Sequence, residues 1–304
     1  MRFHVALPGC MNVPAVTQPW EPSMVGADVI ATAKVVDQLG FDGVMVPEHF
    51  LTATSHLELS GNHYFDASTA QGVLVGATER VTVSSMLTIL PLHHPIELAK
   101  AIATLDWLSG GRAAVTFGVG WQLEEFDAFG VDFHTRGRLA DESLQAMFEL
   151  WHSDDPAFHG EFFSFDGIKF GPKPIQSPHP KITLGGDAPA VLRRAARFAD
   201  AWAPWLTPME QIPGCMDQIR SSPEFDGREF GLFYSMAVLN VGEEHVIKSE
   251  HQATRDLHRE VEQCGVLREM GVTDTWIAPP ALRDLNEYVD HLHWVAEEVI
   301  PQVG

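Results

Sequence analysis

The chain has 304 residues, with 20 Lys and Arg against 41 Asp and Glu, a formal charge of −21 at pH 7. A surface this negative repels phosphate backbones and anionic lipid, which argues against nucleic-acid and membrane partners. A hydrophobic content of 45% supplies a large core, and three widely spaced cysteines, Cys10, Cys215 and Cys264, without a Cys-x-x-Cys pair, read as reduced thiols of a cytoplasmic protein.

The first residues, MRFHVALPGCMNVP, hold only a few apolar positions before Pro8 and Gly9. That is too short for a signal sequence or a membrane span, and strand β1, Phe3 to Leu7, is the better reading. A helical stretch from Ala27 to Leu39 stops at Gly40, a C-cap residue by position. Val44 to Val46 is the second strand. Asp66 caps a helix to Ala77, and Val81 to Leu87 is a β-branched strand. Pro95 opens a helix whose Leu98, Ile102 and Leu105 share one face before Gly110 and Gly111 end it.

Ala113 to Val119 is the fourth strand, and a helix with Leu144, Met147, Phe148 and Trp151 on its apolar face runs from about Gly137 to His152. Period-2 aromatics around Asp166-Gly167 predict a hairpin inserted near 158–174. Ile182 to Leu184, Ala201 to Ala203, Phe230 to Val241 and Thr273 to Ile277 complete eight strands, with a helical insertion near 245–270 and a closing helix from Leu282 to Val299. Eight alternations without a Gly- or Ser-rich linker predict one domain over 1–304, a (β/α)8 TIM barrel with insertions.

In such a barrel, chemistry sits at the carboxyl ends of the strands: Pro8 to Met11, Glu48 and His49, Ser85 to Thr88, Gly118 to Trp121, Gly185 to Asp187, Trp205, Asn240 and Ala278. The stretch FDGVMVPEHF runs an apolar strand into Glu48 and His49. Both serve one site only if the chain turns at Pro47, because successive strand residues face opposite ways. The alternative is a single buried structural histidine. Further on, Gly185 and Gly186 allow a sharp turn with exposed N–H groups, and Asp187 is placed to cap the following helix, a geometry suited to a phosphate. A plain helix cap with two glycines explains the same residues, and the Asp187 carboxylate would compete for those donors.

LPLHHP (90–95), DWLSGGR (106–112), FGVGW (117–121), EEFDAFGVDF (124–133), RGRLADE (136–142) and FHGEFFSFDGIKFGPKPIQSPHPKITLGG (158–186) occur in order. Through these motifs residues 1 to 205 resemble the bacterial luciferase-like monooxygenase family, while the last third matches only as barrel-like. The resemblance implies a dimer that binds coenzyme F420, a deazaflavin, or alternatively FMN. Glu48-His49-Phe50 looks closer to the deazaflavin branch, and Glu48 stands where luciferases carry a second histidine.

The resemblance also implies a non-prolyl cis peptide at the end of β3, expected at Ser85-Met86 and supporting the cofactor ring, with an ordinary trans bond as the alternative. His49 or Glu48 would handle one proton, their mutual contact favouring a protonated imidazole. Gly118 and Gly120 would let the ring approach the backbone, Arg136 and Arg138 would reach the anionic tail, Gly185, Gly186 and Asp187 would hold its phosphate, and Trp121, with Trp20, would wall the substrate pocket.

The fifteen histidines form no His-Glu-x-x-His motif, no Ser sits in Gly-x-Ser-x-Gly, and metal or acyl-transfer chemistry is set aside. Three readings compete. The first is F420-dependent hydride transfer with a small organic substrate. The second is an FMN monooxygenase served by a separate reductase, and the third is a flavin-binding relative without turnover.

Overall fold

The computed structural model describes residues 1–234, 255–277 and 279–303. In chain order its elements are β1 (Arg2–Ala6), α1 (Gly26–Leu39), β2 (Gly43–Val46), α2 (Leu57–Ser60), α3 (Ala67–Ala77), β3 (Thr82–Ile89), α4 (Pro95–Ser109), β4 (Ala113–Gly118), α5 (Leu123–Phe129) and α6 (Arg136–His152). There follow β5 (Phe158–His159), β6 (Ser164–Phe165), β7 (Lys181–Gly185), α7 (Pro189–Phe198), β8 (Ala201–Ala203), α8 (Ile212–Arg220), β9 (Gly231–Leu232), α9 (Leu257–Glu269), β10 (Asp274–Ile277), α10 (Leu285–Trp294) and α11 (Ile300–Val303).

Eight of the strands pair in parallel in the order β10-β1-β2-β3-β4-β7-β8-β9, and a bridge between Phe233 and Asp274 brings the last back to the first. The result is the expected (β/α)8 barrel, nearly closed. Residues of the predicted seventh strand beyond Tyr234, with Asn240, Ala278 and the start of the predicted helical insertion, lie outside the described residues. Among the described residues no helix is long and apolar enough to cross a membrane.

Local signals act where they stand. Gly40 and Gly110 end α1 and α4 with φ of +82° and +70°, a conformation that costs glycine least. Asp66 accepts the N–H of Thr69 at 2.7 Å and starts α3. The hairpin differs in one respect: its turn lies at 160–163, between β5 and β6, and not at Asp166-Gly167. Glu142 of α6 decides this by accepting the N–H groups of Glu161, Phe162 and Phe163 at 2.8, 2.7 and 2.6 Å.

Alternation along each strand separates two environments. Val5, Val44, Val83, Val115, Ile182 and Trp202 face outward and pack against the helices. Each such burial stabilises by roughly 1.5–3 kcal/mol. Facing inward, Ala6, Met45, Met86, Ala203, Phe233 and Trp276 form an apolar layer toward the carboxyl ends of the strands. Beneath it the interior is ionic. Asp274, fully buried, accepts from Arg2 through two bonds of 2.7 Å, and stands 2.9 Å from His4 Nε2 and 3.0 Å from Lys181 Nζ. His4 fits only because Gly43 faces it, since a Cβ there would lie 2.4 Å from His4 Nδ1.

Burial alone would push the Asp274 carboxyl up, but the hydrogen bonds from Arg2 and His4 and the charge of Lys181 hold it far below its ordinary 3.8. Its contribution to stability is therefore complete above about pH 5 and fades only as pH falls below the ordinary carboxylate range. We predict that Asp274→Asn lowers the unfolding free energy by about 3 kcal/mol, because it removes the buried charge that Arg2 and Lys181 pair with. Urea titration from pH 8 downward checks this: the difference from native protein should hold steady to about pH 5 and shrink below about pH 4.

Candidate active site

The strand ends open on the apolar layer of Met45, Met86, Phe233 and Trp276, whose indole N–H is buried without a hydrogen-bond partner among the described residues. Beyond β2, Glu48 and His49 diverge and do not form the expected couple. Glu48 turns toward the end of β3, where Oε2 accepts the N–H of Ile89 at 2.9 Å and lies 2.8 Å from His93 Nε2. His49 Nδ1 lies 3.0 Å from Glu125 Oε2. Neighbouring side chains leave an extended chain on opposite sides, and the turn at Pro47 does not bring these two together.

Glu125 is the residue beside His49 that the sequence did not point to. Wholly buried on α5, it also accepts the N–H of Phe50 at 2.7 Å, so one carboxylate fixes both the histidine and the chain beyond it. Gln122 adds a second tie, accepting the N–H of Ala53 at 3.1 Å with its amide nitrogen 3.3 Å from His49 Nδ1. With Nδ1 facing the Glu125 carboxylate, Nε2 is the ring nitrogen without a partner among the described residues. Tyr64 and Trp121 meet the imidazole edge-on, with ring centroids at 4.9 and 6.1 Å. Glu125 stands 76 positions from His49, and only its place within EEFDAFG marked it.

The non-prolyl cis peptide lies at Met86-Leu87, one residue beyond the expected Ser85-Met86. Ser85 still pairs regularly with Val115, and the register shift falls between Met86 and Thr88. Ser85 is fully buried and its hydroxyl accepts from Thr88 at 2.8 Å, so it does not reach the open end of the barrel. Gly118 and Gly185 serve the bulge. A Cβ on either would lie 2.6 or 2.9 Å from a Leu87 methyl, so the Leu87 side chain fills the space expected for a ligand. At Gly120, φ is +74° and a Cβ would meet the Phe126 ring at 2.6 Å.

At the Gly185-Gly186 turn, expected to hold a phosphate, one amide is already occupied. Gly186 donates its N–H to the Ala203 carbonyl at 3.0 Å and accepts from Trp202 Nε1 at 2.8 Å. Asp187 does not cap α7, whose N-cap is Ala188. Pro189 has no N–H to offer it, and the carboxylate instead accepts from the N–H groups of Trp205 and Thr207, at 2.9 and 3.0 Å, and from the Thr207 hydroxyl. Arg138 pairs with Glu161 in solvent. Arg136 lies 3.7 Å over the Phe133 ring and donates to the Phe133 carbonyl, while its Nε is buried without a partner among the described residues.

A family model described as "Luciferase-like monooxygenase" matches residues 1–283, well past the segment whose motifs resemble it. The chain belongs to the luciferase-like monooxygenase family. It is thus an enzyme of oxidoreductase or monooxygenase type. An FMNH(2)-dependent dimethylsulfone monooxygenase of Pseudomonas putida is 27% identical over 270 residues, 85% of this chain and 72% of that protein. Monooxygenase RslO1 from Streptomyces bottropensis superposes with a TM-score of 0.79 at 22% identity, covering all of both chains. An F420-dependent secondary alcohol dehydrogenase superposes with a TM-score of 0.72 at 18% identity, covering 100% of this chain and 99% of that one.

Because Leu87 occupies the space beside Gly118, Gly118→Val is predicted to cost about 2 kcal/mol by overpacking. Combined with Leu87→Ala, which empties that space, the same change should cost less than half as much. A double-mutant cycle read by urea unfolding measures the coupling, and simple additivity would remove the assignment.

Proposed function

We propose that this chain is a deazaflavin-dependent oxidoreductase acting on a small organic substrate, with His49 as the residue that exchanges the reaction's proton. The observation that carries the reading is the His49 imidazole, fixed through Nδ1 by a buried carboxylate, with Nε2 without a partner among the described residues. Glu125 holds the ring in one orientation, as the carboxylate partner of a catalytic histidine does elsewhere. Glu48 is a positioning residue that ties the end of β3 to β2 through Ile89 and His93.

The residues present fit a flat, largely apolar ring. Ala6, Met45, Met86 and Phe233 would support it, and the Trp276 N–H, without a partner among the described residues, is available to a polar edge. For an anionic tail, Arg136, whose Nε has no partner among the described residues, is the fitting group, since the amide of Gly186 is already occupied. When bound, a deazaflavin supplies or accepts a hydride. The protein's part is to exclude water with its aromatic wall, to aim the substrate and to hold one proton at Nε2.

A second reading uses reduced FMN and oxygen, with a separate reductase, and the Pseudomonas putida relative named as FMNH(2)-dependent favours it. Equilibrium titration of the purified chain with F420 and with FMN, each oxidised and reduced, distinguishes the two. We expect low-micromolar affinity for F420 and weaker binding of FMN. Tight binding of reduced FMN with oxygen uptake would select the second reading, and binding of neither would defeat both. His49→Ala should retain the native cofactor affinity within a few-fold while turnover falls by about 10² or more. Arg136→Ala should weaken cofactor binding by about ten-fold without changing the fold.

A further inference from the structure

The LPLHHP stretch places two histidines side by side before α4, and they do different work. His94 is the N-cap of α4, its Nδ1 accepting the N–H of Ile96 at 3.3 Å. His93 turns toward the barrel, where its Nε2 lies 2.8 Å from Glu48 Oε2, the same oxygen that accepts the Ile89 N–H. Glu48 is 3% exposed and its other oxygen has no partner among the described residues, so this buried carboxylate rests on one backbone donor and one imidazole. The His93 ring packs against Phe50 at 5.3 Å between centroids, and Phe50 in turn donates its N–H to Glu125, which faces His49.

The backbone that carries His93 is held without the side chain. Leu90, Pro91 and Leu92 form a short buried turn, closed by the His93 N–H on the Leu90 carbonyl at 3.2 Å. What the imidazole adds is a donor. A buried carboxylate that loses one of its two donors keeps its charge out of water without compensation, and it moves to find water or another partner. Such a move would release Ile89 at the end of β3, just beyond the register shift between Met86 and Thr88, and Met86 stands in the apolar layer of the site.

We infer that His93 is a positioning residue for cofactor binding: through Glu48 it holds the bulged end of β3 in the shape that presents Met86 to the ring. The inference rests on the reading that the apolar layer of Met45, Met86 and Phe233 carries a flat cofactor ring. No bond of the reaction passes through His93, so its effect falls on affinity and on the order of β3. Two substitutions separate the donor from the ring. His93→Gln keeps an N–H donor that reaches the place of Nε2, while His93→Phe keeps the ring against Phe50 and has no donor.

Two measurements on the full chain test this: equilibrium titration with F420 and with FMN, and hydrogen exchange of the amides at 87–89 without cofactor. His93→Phe is expected to weaken binding of whichever cofactor the native chain takes by about ten-fold and to speed exchange at 87–89 by about ten-fold. His93→Ala, which removes both donor and ring, should match it, and His93→Gln should stay within about two-fold of native in both measurements. A ring that served packing alone would give the opposite order, with Phe native-like and Gln impaired, and that order overturns the proposal. So do native-like values for His93→Phe in either measurement, or equal impairment by Phe and Gln. If the native chain binds neither cofactor, the functional reading fails and exchange alone decides. Fast exchange in His93→Phe with native-like exchange in His93→Gln then keeps the tie between His93 and β3, and any other pattern removes it.

Discussion

A carboxylate taken out of water has to be met by hydrogen-bond donors and opposite charge, and Asp274 is met by side chains from two other strands of the barrel. Arg2 and His4 come from β1 and Lys181 from β7, and all converge on one side chain of β10. Their convergence is compatible with one register of β10 against β1, the register in which Phe3 lies opposite Thr275 and Val5 opposite Ile277. A slip by one residue would send Asp274 to the apolar outer layer. Closing the ring in this register sets which residues of all eight strands reach the open end, and the site follows from it. The ionic layer below and the apolar layer above give that site a polar support and a dry floor.

The same chemistry recurs at the periphery and gives the acidic composition a second meaning. Six carboxylates each tie down a distant segment: Asp37 receives N–H groups from 79–81, Glu48 from Ile89 at the end of β3, Asp106 from 175–176, Glu125 from Phe50, Glu142 from 161–163 and Asp187 from 205–207. Charge-assisted bonds to backbone donors are stronger than neutral ones, and one carboxylate accepts several at once. Part of the excess of Asp and Glu is therefore structural. These acids do more than repel anions from the surface, since they hold long connections in fixed shapes around a barrel whose strands are short.

Much of this was legible in advance. All eight strands lie where apolar or β-branched runs occur, and the caps at Gly40, Asp66 and Gly110 act where they stand, because each depends on residues within a few positions of one another. His49 was legible as a candidate because it follows a strand end. Its true partner was not, since Glu125 is distant in sequence, and adjacency instead suggested Glu48. The glycines misled for a related reason. A missing Cβ makes room, but the chain does not say for what: at Gly118 and Gly185 it is Leu87, and at Gly120 it is Phe126.

Sequence by itself determined the (β/α)8 architecture, the positions of the strands and the presence of an ionisable cluster at the end of the second, because periodicity and capping are short-range effects. Tertiary structure alone decided which acid faces which imidazole, that the amide of Gly186 is already occupied, and that Asp187 serves the loop at 205–207 rather than a helix. The physical reason is that a buried polar group must find a partner, and only the closed barrel determines which partners lie within 3 Å.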